Sequence, residues 1–570
     1  MRTRSMVTTI LVACIGVGGI MFGADRPSGV DRVSSGRSAV LARNGMVATS
    51  QPLAAQAGLQ ILRQGGNAFD AAVATAAVLS VVEPMMTGPG GDLFVIAHVA
   101  RTGKLVGLNA SGFSPQNANP AFFSQQGLDR IPIAGPLSVT VPGAVDGWIT
   151  LLEKHGTMTR EQVFAPAIDY AEKGFAVSEI IASSWKVPAL EGITPQADRI
   201  ADDFKAAYYV DGRKPEHGDV FTNKALAGTL RRIVNDGAEV FYEGEIARQI
   251  VDHLNSLGWP ITMEDMSYQH ADWVEPISTT YRGQRIFELP PNGQGMAALE
   301  MLNILEGYDL RSLGHNSAAY LHRLIEAKKL AFADLDAWLA DPEKADLPVD
   351  KIISKEYGHA QRRRINLNRA ADEVRSGVND ATHRLVDTGD TIYLTVVDKD
   401  RNMVSFINSI FHAFGSGVVV PGTGVILQNR GALFSLTPEH PNQIQPRKRP
   451  YHTIIPAMAY KEGKPWLSFG VMGGSMQPQG HVQILLNMID FGMNVQDAGE
   501  MARVRHSSGK EIILESGISK EAVIKLKQLG HQINPAGGGF GGYQAIEVDW
   551  KRGVLRGGSD PRKDGHVAAW

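Results

Sequence analysis

A change of pattern at Thr391 constrains the fold of this chain more than any other feature of its sequence. Helical patterns predominate before that residue. After it, alternating apolar segments typical of strands predominate, at 391–398, 402–410, 466–471, 543–549 and 553–557. Two helical segments, "HVQILLNMIDFG" and "SKEAVIKLKQLG", lie between these strands. Helices that flank many strands predict a layered α+β or α/β architecture.

Two helices and a hairpin are predicted near the start of the chain. The first helix runs from Pro52 to Gln64 and ends at Gly65-Gly66, and the second is Ala-rich, spans 68–82 and is capped by Asn67. The segment "GGDLFVIAHVARTGKLVGLNA" predicts two strands joined by a Thr-Gly turn. Further helices are predicted in "VPGAVDGWITLLEKHG" and "TREQVFAPAIDYAEKG", and residues of about 180–340 are predicted to be mainly helical.

The first residues are predicted to direct export. "MRTRS" is basic, Met6 to Gly23 is apolar and uncharged, and Ala24 is a small residue at the expected cut. This pattern predicts a signal peptide over residues 1–24 and a periplasmic or extracellular mature protein, with residues of about 25–42 as a loose polar leader. Two alternatives remain, a membrane anchor and a bacterial lipobox in "LVAC", although the apolar run continues past Cys14.

Composition excludes several kinds of site. Cys14 is the only cysteine, so a mature chain without the signal has no disulfide, thiol nucleophile or thiolate metal site. A formal net charge of −3 over 570 residues gives no reason to expect a nucleic-acid partner. The sequence has no HExxH motif and no histidine pair at metal spacing, so neither a metal nor a cofactor is predicted.

Two glycine-containing patterns carry no chemistry on their own. No GxSxG segment precedes a helix, which disfavours a serine hydrolase of the α/β type. "AGGGFGG", from Ala536 to Gly542, lacks the Gly-Lys-Ser/Thr ending of a phosphate-binding loop. It is predicted to be a tight turn that enters the strand "YQAIEVDW".

Thr391 follows Gly389-Asp390 and begins the strand pattern "TIYLTVVD". A threonine hydroxyl is a poor nucleophile unless a base lies beside it. If the chain is cut between Asp390 and Thr391, the new α-amine, with an ordinary pKa of about 7.7–8.0, can serve as that base. The alternative is that Thr391 is an ordinary strand residue.

A series of segments, in order over residues of about 38–566, resembles successive blocks of the γ-glutamyltranspeptidase family. The segments are "NGMVATSQPLAAQAGLQILRQGGNAFDAAVA", "PGGDLFVIAHV", "VTVPGAVDGW", "EAKKLAFAD", "DTIYLTVVDKDRNMVSF", "FGSGVVVPGTGVILQNRGALFS", "KRPYHTIIPAM", "GVMGGSMQPQGHVQILLNMIDFGMN" and "GGSDPRKDG". Several blocks are long, so the resemblance is more specific than a short glycine pattern.

The resemblance implies an N-terminal nucleophile hydrolase with an α+β fold, a four-layer αββα sandwich. One precursor would cut itself between Asp390 and Thr391 into a large subunit, 25–390, and a small subunit, 391–570. The two would stay together as a heterodimer, which could dimerise again. The family's nucleophile falls at Thr391, the hydroxyl that hydrogen-bonds it at Ser409, and the glycine pair of the oxyanion hole at Gly473-Gly474.

The residues with which the family holds a glutamyl group are not matched here. The arginine that binds the α-carboxylate falls at about Ser111, and the residues that hold the α-amine fall at Phe411, Arg430 and Leu433. The family's serine pair, which contacts the carboxylate, is replaced here by Tyr451-His452. Arg430 could bind a carboxylate through two hydrogen bonds, or it could make a structural ion pair.

The sequence therefore predicts an exported, self-processing amidohydrolase. Its N-terminal threonine would form an acyl-enzyme from a γ-glutamyl-like amide or peptide and pass the acyl group to water or another acceptor. One alternative is a glutaryl (cephalosporin) acylase-like or oxamate-type amidohydrolase, whose acyl group bears a carboxylate and lacks the glutamyl amine. A non-catalytic binding protein on the same fold is a second alternative, and a transpeptidase of a surface polymer is a third.

Overall fold

The computed structural model describes residues 36–186, 188–378 and 389–570, and for Asp390 it describes the backbone alone. The predicted signal segment, 1–24, lies outside these residues. The described part mixes helices with sheets, two of which have seven strands each. None of the helices in these ranges combines the length and the apolar character that a membrane crossing requires.

The helices of the described residues are most numerous before Thr391. They are α1 Pro52–Arg63, α2 Ala68–Val82, α3 Pro120–Gln125, α4 Ala144–His155, α5 Arg160–Lys173, α6 Glu179–Ser184, α7 Ala197–Tyr208, α8 Lys224–Asp236, α9 Glu239–Tyr242, α10 Glu245–Ser256, α11 Met263–Ser267, α12 Gly295–Leu305, α13 Leu310–Leu313, α14 Ala318–Trp338, α15 Val349–Ile352, α16 Lys355–Arg362, α17 Met476–Ile489, α18 Val495–Glu500 and α19 Lys520–Gln528.

The strands lie on both sides of Thr391. They are β1 Val40–Ala42, β2 Met46–Thr49, β3 Asp92–Val99, β4 Lys104–Ala110, β5 Phe175–Ala176, β6 Val220–Phe221, β7 Asp272–Val274, β8 Ile277–Tyr281, β9 Gln284–Glu288, β10 Asp390–Val397, β11 Met403–Phe411, β12 Val419–Val420, β13 Val425–Ile426, β14 Ala457–Lys461, β15 Lys464–Met472, β16 Val504–His506, β17 Glu511–Leu514, β18 Gln532–Ile533, β19 Gly542–Asp549, β20 Val554–Ser559 and β21 His566–Ala569.

Both large sheets combine strands from the two sides of Thr391. The first sheet has the order β21-β2-β10-β11-β3-β4-β7, and the second has the order β1-β20-β19-β15-β14-β9-β8. Neighbouring strands are antiparallel throughout both sheets. The chain before Thr391 and the chain after it are therefore hydrogen-bonded to each other inside the core.

Side chains of the two sheets meet in one buried cluster. Phe94, Ile96 and Tyr393 of the first sheet pack there with Met458 and Ile546 of the second. Aromatic and branched side chains that alternate along strands of both sheets fill the space between two facing sheets. The first and second sheets therefore pack face to face.

The outer face of each large sheet packs against helices. Ile392, Leu394 and Val396 of β10 lie in a second cluster with residues of α1, α2 and α4. Phe469 and Val471 of β15 lie in a third cluster with residues of α12, α14 and α17. The alternation predicted for β10 is confirmed, because its odd and even residues enter different clusters.

The predicted N-terminal helices are confirmed almost residue for residue. Asn67 caps α2 by accepting hydrogen bonds from Phe69 N at 2.8 Å and Asp70 N at 3.1 Å. The Asp70 carboxylate in turn accepts from Asn67 N at 2.9 Å, which completes a capping box. The hairpin of β3 and β4 is confirmed as well.

The region 180–340 is mainly helical, as predicted, although it also contains the short strands β6, β7, β8 and β9. The prediction of a loose leader over 25–42 is wrong at its end, because β1 begins at Val40. The β8–β9 turn is formed by Arg282 and Gly283 with φ of 49° and 84°. The strands β8 and β9 carry polar residues and lie at the end of their sheet, so their alternation of apolar residues is weak.

Candidate active site

Thr391 lies in a bulge at the beginning of β10. Asp390 is opposite Phe411 on the neighbouring strand β11, whereas Ile392 is opposite Asn408, so the register shifts at Thr391. A bulge redirects the side chain at that point and is common beside active sites. The Thr391 side chain is buried, with 2% of its surface exposed, and its Oγ1 lies 3.1 Å from Ser409 Oγ.

Ser409 connects Thr391 to two donors. Its Oγ accepts a hydrogen bond from Phe411 N at 2.9 Å and another from Arg430 Nη2 at 3.1 Å. A serine hydroxyl has two acceptor lone pairs and one hydrogen. Two donors therefore already contact Ser409 Oγ, and either hydroxyl can donate in its hydrogen bond with Thr391 Oγ1.

Arg430 is a fully buried cation beside this serine. Its Nη1 donates to Thr453 Oγ1 at 2.7 Å, and its guanidinium lies 4.5 Å from the ring centre of Phe411. Its Nε lies 4.0 Å from Asp92 Oδ2. Burial lowers the pKa of Arg430 to about 10, so the guanidinium remains charged at neutral pH.

Asp92 is the carboxylate that faces Arg430. Its Oδ1 accepts from Gly112 N at 2.9 Å and Gly143 N at 3.2 Å, and its Oδ2 lies 3.1 Å from His452 Nε2. Burial raises the pKa of Asp92 to about 6, against the lowering effect of Arg430. Burial, followed by Arg430, holds the pKa of His452 well below its ordinary value. His452 is therefore neutral, and Asp92 and Arg430 are the charged pair.

Gly473 and Gly474 connect β15 to α17. Their φ values of 128° and 58° lie in the left-handed region that favours glycine. A Cβ on Gly473 would lie 3.1 Å from Gly541 Cα. Among the described residues neither N–H group donates a hydrogen bond, and both precede the positive end of α17 at Met476. These two groups can stabilise a developing oxyanion.

Thr391 and Gly473 open onto one cavity of about 410 Å³. Gly389 and Met472 form part of its wall, together with the loop Gly539–Gly541. Four charged residues complete the lining: Arg505, Glu515, Arg562 and Lys563. A second cavity, of about 830 Å³, includes Leu433 and Tyr451 in its lining.

The structure brings together most of the residues singled out from the sequence. Thr391, Ser409, Phe411 and Arg430 form one contact network, and His452 joins it through Asp92. Ser111 has other side-chain partners: its Oγ donates to Asn109 Oδ1 at 2.8 Å and accepts from Asn292 Nδ2 at 3.1 Å, and its carbonyl accepts from Arg449 Nε at 3.0 Å. The backbone of Asp390 lies opposite Phe411.

Three residues of the site were missed in the sequence. Thr453, which accepts from Arg430, directly follows the pair Tyr451-His452 that was singled out. Asp92 is a carboxylate at the start of a strand whose next five residues are apolar, which was a usable signal. Gln294, whose Nε2 donates to Thr453 O at 2.5 Å and Gly474 O at 2.9 Å, had no such signal.

One group of buried residues has the composition of a metal site. His322, Glu326 and His531 offer ligand atoms within 4.8 Å of one another. His322 Nδ1 and His531 Nε2 are hydrogen-bonded at 2.8 Å, and Lys329 Nζ donates to Glu326 at 2.8 Å. Because the Lys329 ammonium already binds the Glu326 carboxylate, it would repel a metal ion at the same place. The cluster therefore fits a hydrogen-bond network better than a metal centre.

Comparison with known proteins identifies the family. A sequence model described as Gamma-glutamyltranspeptidase matches residues 54–570. The chain belongs to the γ-glutamyltranspeptidase family. The expected resemblance is thereby confirmed over these residues.

Relatives within the γ-glutamyltranspeptidase family are named as hydrolases and as proenzymes. The "Glutathione hydrolase-like YwrD proenzyme" of Bacillus subtilis is 40% identical over 92% of this chain and 98% of its own length. The "Oxamate amidohydrolase proenzyme" of Klebsiella pneumoniae is 33% identical over 94% of this chain and 100% of its own. Among solved structures, the cephalosporin acylase from Bacillus halodurans is 41% identical with a TM-score of 0.87, over 97% of this chain and 99% of its own.

Proposed function

We propose that this member of the γ-glutamyltranspeptidase family is a self-processing amidohydrolase with Thr391 as its nucleophile, acting on amides of an acyl group that bears a carboxylate. The observation that carries the proposal is the hydrogen-bonded series from Thr391 Oγ1 through Ser409 Oγ to the buried Arg430. It joins a nucleophile, a positioning hydroxyl and an anion-binding group in one place.

Self-processing uses the same hydroxyl as catalysis. Thr391 Oγ attacks the carbonyl carbon of Asp390, the Asp390–Thr391 C–N bond breaks, and the threonine nitrogen takes up a proton. Water then hydrolyses the resulting ester, which releases an Asp390 carboxylate and leaves Thr391 with a free hydroxyl and α-amine. The bulge at Thr391 supports this step, because it turns the side chain out of the regular ladder beside the bond to be cut.

Amide hydrolysis proceeds by the same chemistry on a bound substrate. The α-amine of Thr391 takes the hydroxyl proton while Oγ attacks the amide carbon, and that proton passes to the departing amine. The N–H groups of Gly473 and Gly474 stabilise the negative oxygen of the intermediate. Water then attacks the acyl ester, releasing the acid and regenerating Thr391.

Arg430 is the group that selects the acyl part. A guanidinium has five N–H donors, and Ser409 and Thr453 occupy two of them. The remaining donors suit a carboxylate. The neighbouring Phe411 and Leu433 offer no partner for an ammonium group. A relative named for oxamate, in which a carboxylate adjoins the amide, supports the same preference.

The wider organisation follows from the same proposal. We assign the fold to the four-layer αββα sandwich of N-terminal nucleophile hydrolases, which is supported by two facing sheets with helices on their outer faces. Subunits 25–390 and 391–570 remain associated as a heterodimer because both large sheets contain strands of each. The pattern of residues 1–24 supports export.

A denaturing gel tests the processing step. Wild-type protein is expected to give two bands with a new N-terminus at Thr391, and Thr391→Ala a single uncut band. Thr391→Ser, which retains a hydroxyl, serves as the matched control and is expected to be cut. An uncut wild type would overturn the proposed enzyme in favour of a binding protein.

A substrate panel tests the acyl group. Processed enzyme is expected to release 4-nitroaniline from glutaryl-4-nitroanilide faster than from γ-glutamyl-4-nitroanilide, which carries an additional ammonium group. Faster release from γ-glutamyl-4-nitroanilide would show that the acyl-binding site around Arg430 accepts a glutamyl amine. The chain would then be a glutathione hydrolase-type enzyme. Oxamate, assayed through ammonia release, extends the panel to a short acyl group.

A further inference from the structure

We infer that the end of the two large sheets remote from Thr391 docks the protein onto an anionic lipid bilayer. Its cations bind the phosphate groups of the lipids, and Trp550 enters the interface between headgroups and acyl chains. The inference goes beyond the proposed function and does not depend on it, because this end lies away from Thr391 and the cavity beside it.

Five connections between strands meet at this end. Thr391 begins β10, whereas the turn to β11 follows Val397, about 20 Å farther along the strand. Because neighbouring strands are antiparallel, the turns β3–β4, β14–β15 and β19–β20 lie at the same end. Arg401 of the β10–β11 turn joins two further segments, since its Nη2 donates at 3.0 Å both to Arg43 O, between β1 and β2, and to Gly553 O of the β19–β20 turn. The five connections therefore form one surface.

This surface is basic, although the whole chain has a formal net charge of −3. The exposed carboxylates in the five connections are those of Asp400 and Glu462, and Asp400 lies 3.7 Å from Lys399. Six exposed cations in or beside the connections have no carboxylate partner among the described residues, and we call them the basic end. They are Arg43, Arg101, Lys104, Lys461, Lys464 and Lys551.

Two tryptophans lie among the lysines of the basic end. Trp550 is 41% exposed, and its Nε1 donates to Pro465 O at 2.7 Å, which holds the ring at the surface. Lys464 Nζ lies 5.7 Å from the ring centre of Trp550, and Lys461 Nζ lies 5.8 Å from that of Trp466. Tryptophan beside lysine suits the headgroup level of a bilayer, where the indole ring enters the interface and the ammonium group binds phosphate.

A bilayer fits the basic end better than a polyanion in solution. The cations are spread over separate turns of two sheets, and the exposed Trp550 ring offers an apolar contact that a chain of carboxylates or phosphates does not use. Docking by this end leaves Thr391 and the cavity beside it on the side away from the membrane. Substrate then reaches the candidate active site from the solution.

Vesicle sedimentation tests the docking surface. Wild type is expected to bind vesicles with about 30% phosphatidylglycerol at least tenfold more tightly than vesicles of phosphatidylcholine alone. The triple variant Lys461→Gln/Lys464→Gln/Lys551→Gln is expected to bind the anionic vesicles about 100-fold more weakly, at about fivefold for each lysine. Rising salt is expected to weaken the binding of wild type, because it screens exposed charges.

The matched control removes the same charge from another part of the surface. Lys214→Gln/Lys520→Gln/Lys527→Gln changes three exposed lysines outside the five connections and is expected to bind as wild type does. Both triple variants are expected to keep the wild-type Tm. Residues 1–24 are the same in every variant, so the comparison between variants isolates the basic end.

Quenching of fluorescence by brominated lipid measures whether Trp550 enters the bilayer. Anionic vesicles with brominated acyl chains are expected to quench part of the wild-type fluorescence, and Trp550→Phe is expected to lose that part. Equal binding of wild type to both kinds of vesicle, or undiminished binding by the Lys461→Gln/Lys464→Gln/Lys551→Gln variant, would overturn the inference. Binding without Trp550-dependent quenching, at the same affinity as for polyglutamate in solution, would assign the basic end to a soluble polyanion and would overturn it as well.

Discussion

Arg430 donates a hydrogen bond of 3.1 Å to Ser409 Oγ, the same oxygen that lies 3.1 Å from Thr391 Oγ1. A buried cation therefore lies one hydroxyl away from the proposed nucleophile. Such an arginine can act on the substrate, on the orientation of Ser409, or on both. Experiments on Arg430 must separate these effects by comparing charged and neutral acyl groups.

Arg430→Lys is expected to lose discrimination for an anionic acyl group. Lysine keeps the charge but lacks the planar guanidinium. It therefore cannot donate hydrogen bonds to Ser409, Thr453 and a carboxylate at the same time. Loss of one charge-assisted hydrogen bond, worth about 1.5–3 kcal/mol, predicts a fall of roughly 10–100-fold in kcat/KM for glutaryl-4-nitroanilide. The neutral valeryl-4-nitroanilide is expected to change by less than about fivefold.

Arg285→Lys provides the control for Arg430. Arg285 also lies over an aromatic ring, 5.1 Å from the centre of Phe287, but on β9 outside the site. It is expected to leave both activities unchanged. Equal losses on the glutaryl and valeryl anilides in Arg430→Lys would contradict a substrate-binding role and leave the positioning of Ser409 as its function.

Ser409→Ala is expected to slow both self-processing and turnover. The change removes the acceptor for Phe411 N and Arg430 Nη2 and the hydroxyl that faces Thr391. Buried donors left without an acceptor cost about 1–3 kcal/mol, which corresponds to roughly 5–150-fold in rate if the whole effect falls on the transition state. Band intensities over time give the processing rate, and initial rates give kcat.

Ser409→Thr is the matched variant, because it keeps the hydroxyl and adds one methyl group. It is expected to retain processing within about tenfold of wild type, the margin allowed for overpacking a buried site. If the Ser409→Ala variant cuts itself at the wild-type rate, the contact between Ser409 and Thr391 has no role in the chemistry. The proposed mechanism then loses its positioning group.

The sequence predicts local structure where a strong local signal exists. The Asn67 cap and the Ala-rich segment locate α2, and strict alternation locates β10. The sequence does not predict β8 and β9, because their polar residues weaken the alternation of apolar side chains. It also misses Thr453 and Gln294, because their roles depend on contacts between segments far apart in the chain. Pairing across a fold is tertiary information that no local pattern carries.

The preference for an anionic acyl group is expected to depend on pH through Asp92. Burial raises the pKa of Asp92 to about 6, and its Oδ2 lies 4.0 Å from Arg430 Nε. Above pH 6 the carboxylate offsets the charge of Arg430, and below pH 6 protonation removes that offset. The ratio of kcat/KM for glutaryl- over valeryl-4-nitroanilide is therefore expected to rise by about fivefold from pH 7.5 to 5.5.

The ratio cancels the titration of the Thr391 α-amine, since the proposed mechanism uses that base equally for both substrates. Asp92→Asn, which is neutral at every pH, is expected to show the high ratio throughout. The change is isosteric and retains an oxygen for Gly112 N and Gly143 N. A ratio that follows the same pH curve in Asp92→Asn would exclude Asp92 as the titrating group.

Gly473→Ala is expected to reduce kcat more than stability. An alanine at φ of 128° is strained, and its Cβ would lie 3.1 Å from Gly541 Cα, so the backbone must shift. Displacing an oxyanion donor lowers kcat by about 10²–10³-fold, whereas the strain lowers the free energy of unfolding by about 1–3 kcal/mol.

Gly463→Ala separates the two effects, because Gly463 has φ of 76° in the β14–β15 turn and its added Cβ would meet open space. It is expected to lower the Tm to a similar extent with kcat unchanged, and a Gly473→Ala enzyme that keeps the wild-type kcat would remove Gly473 from the oxyanion hole.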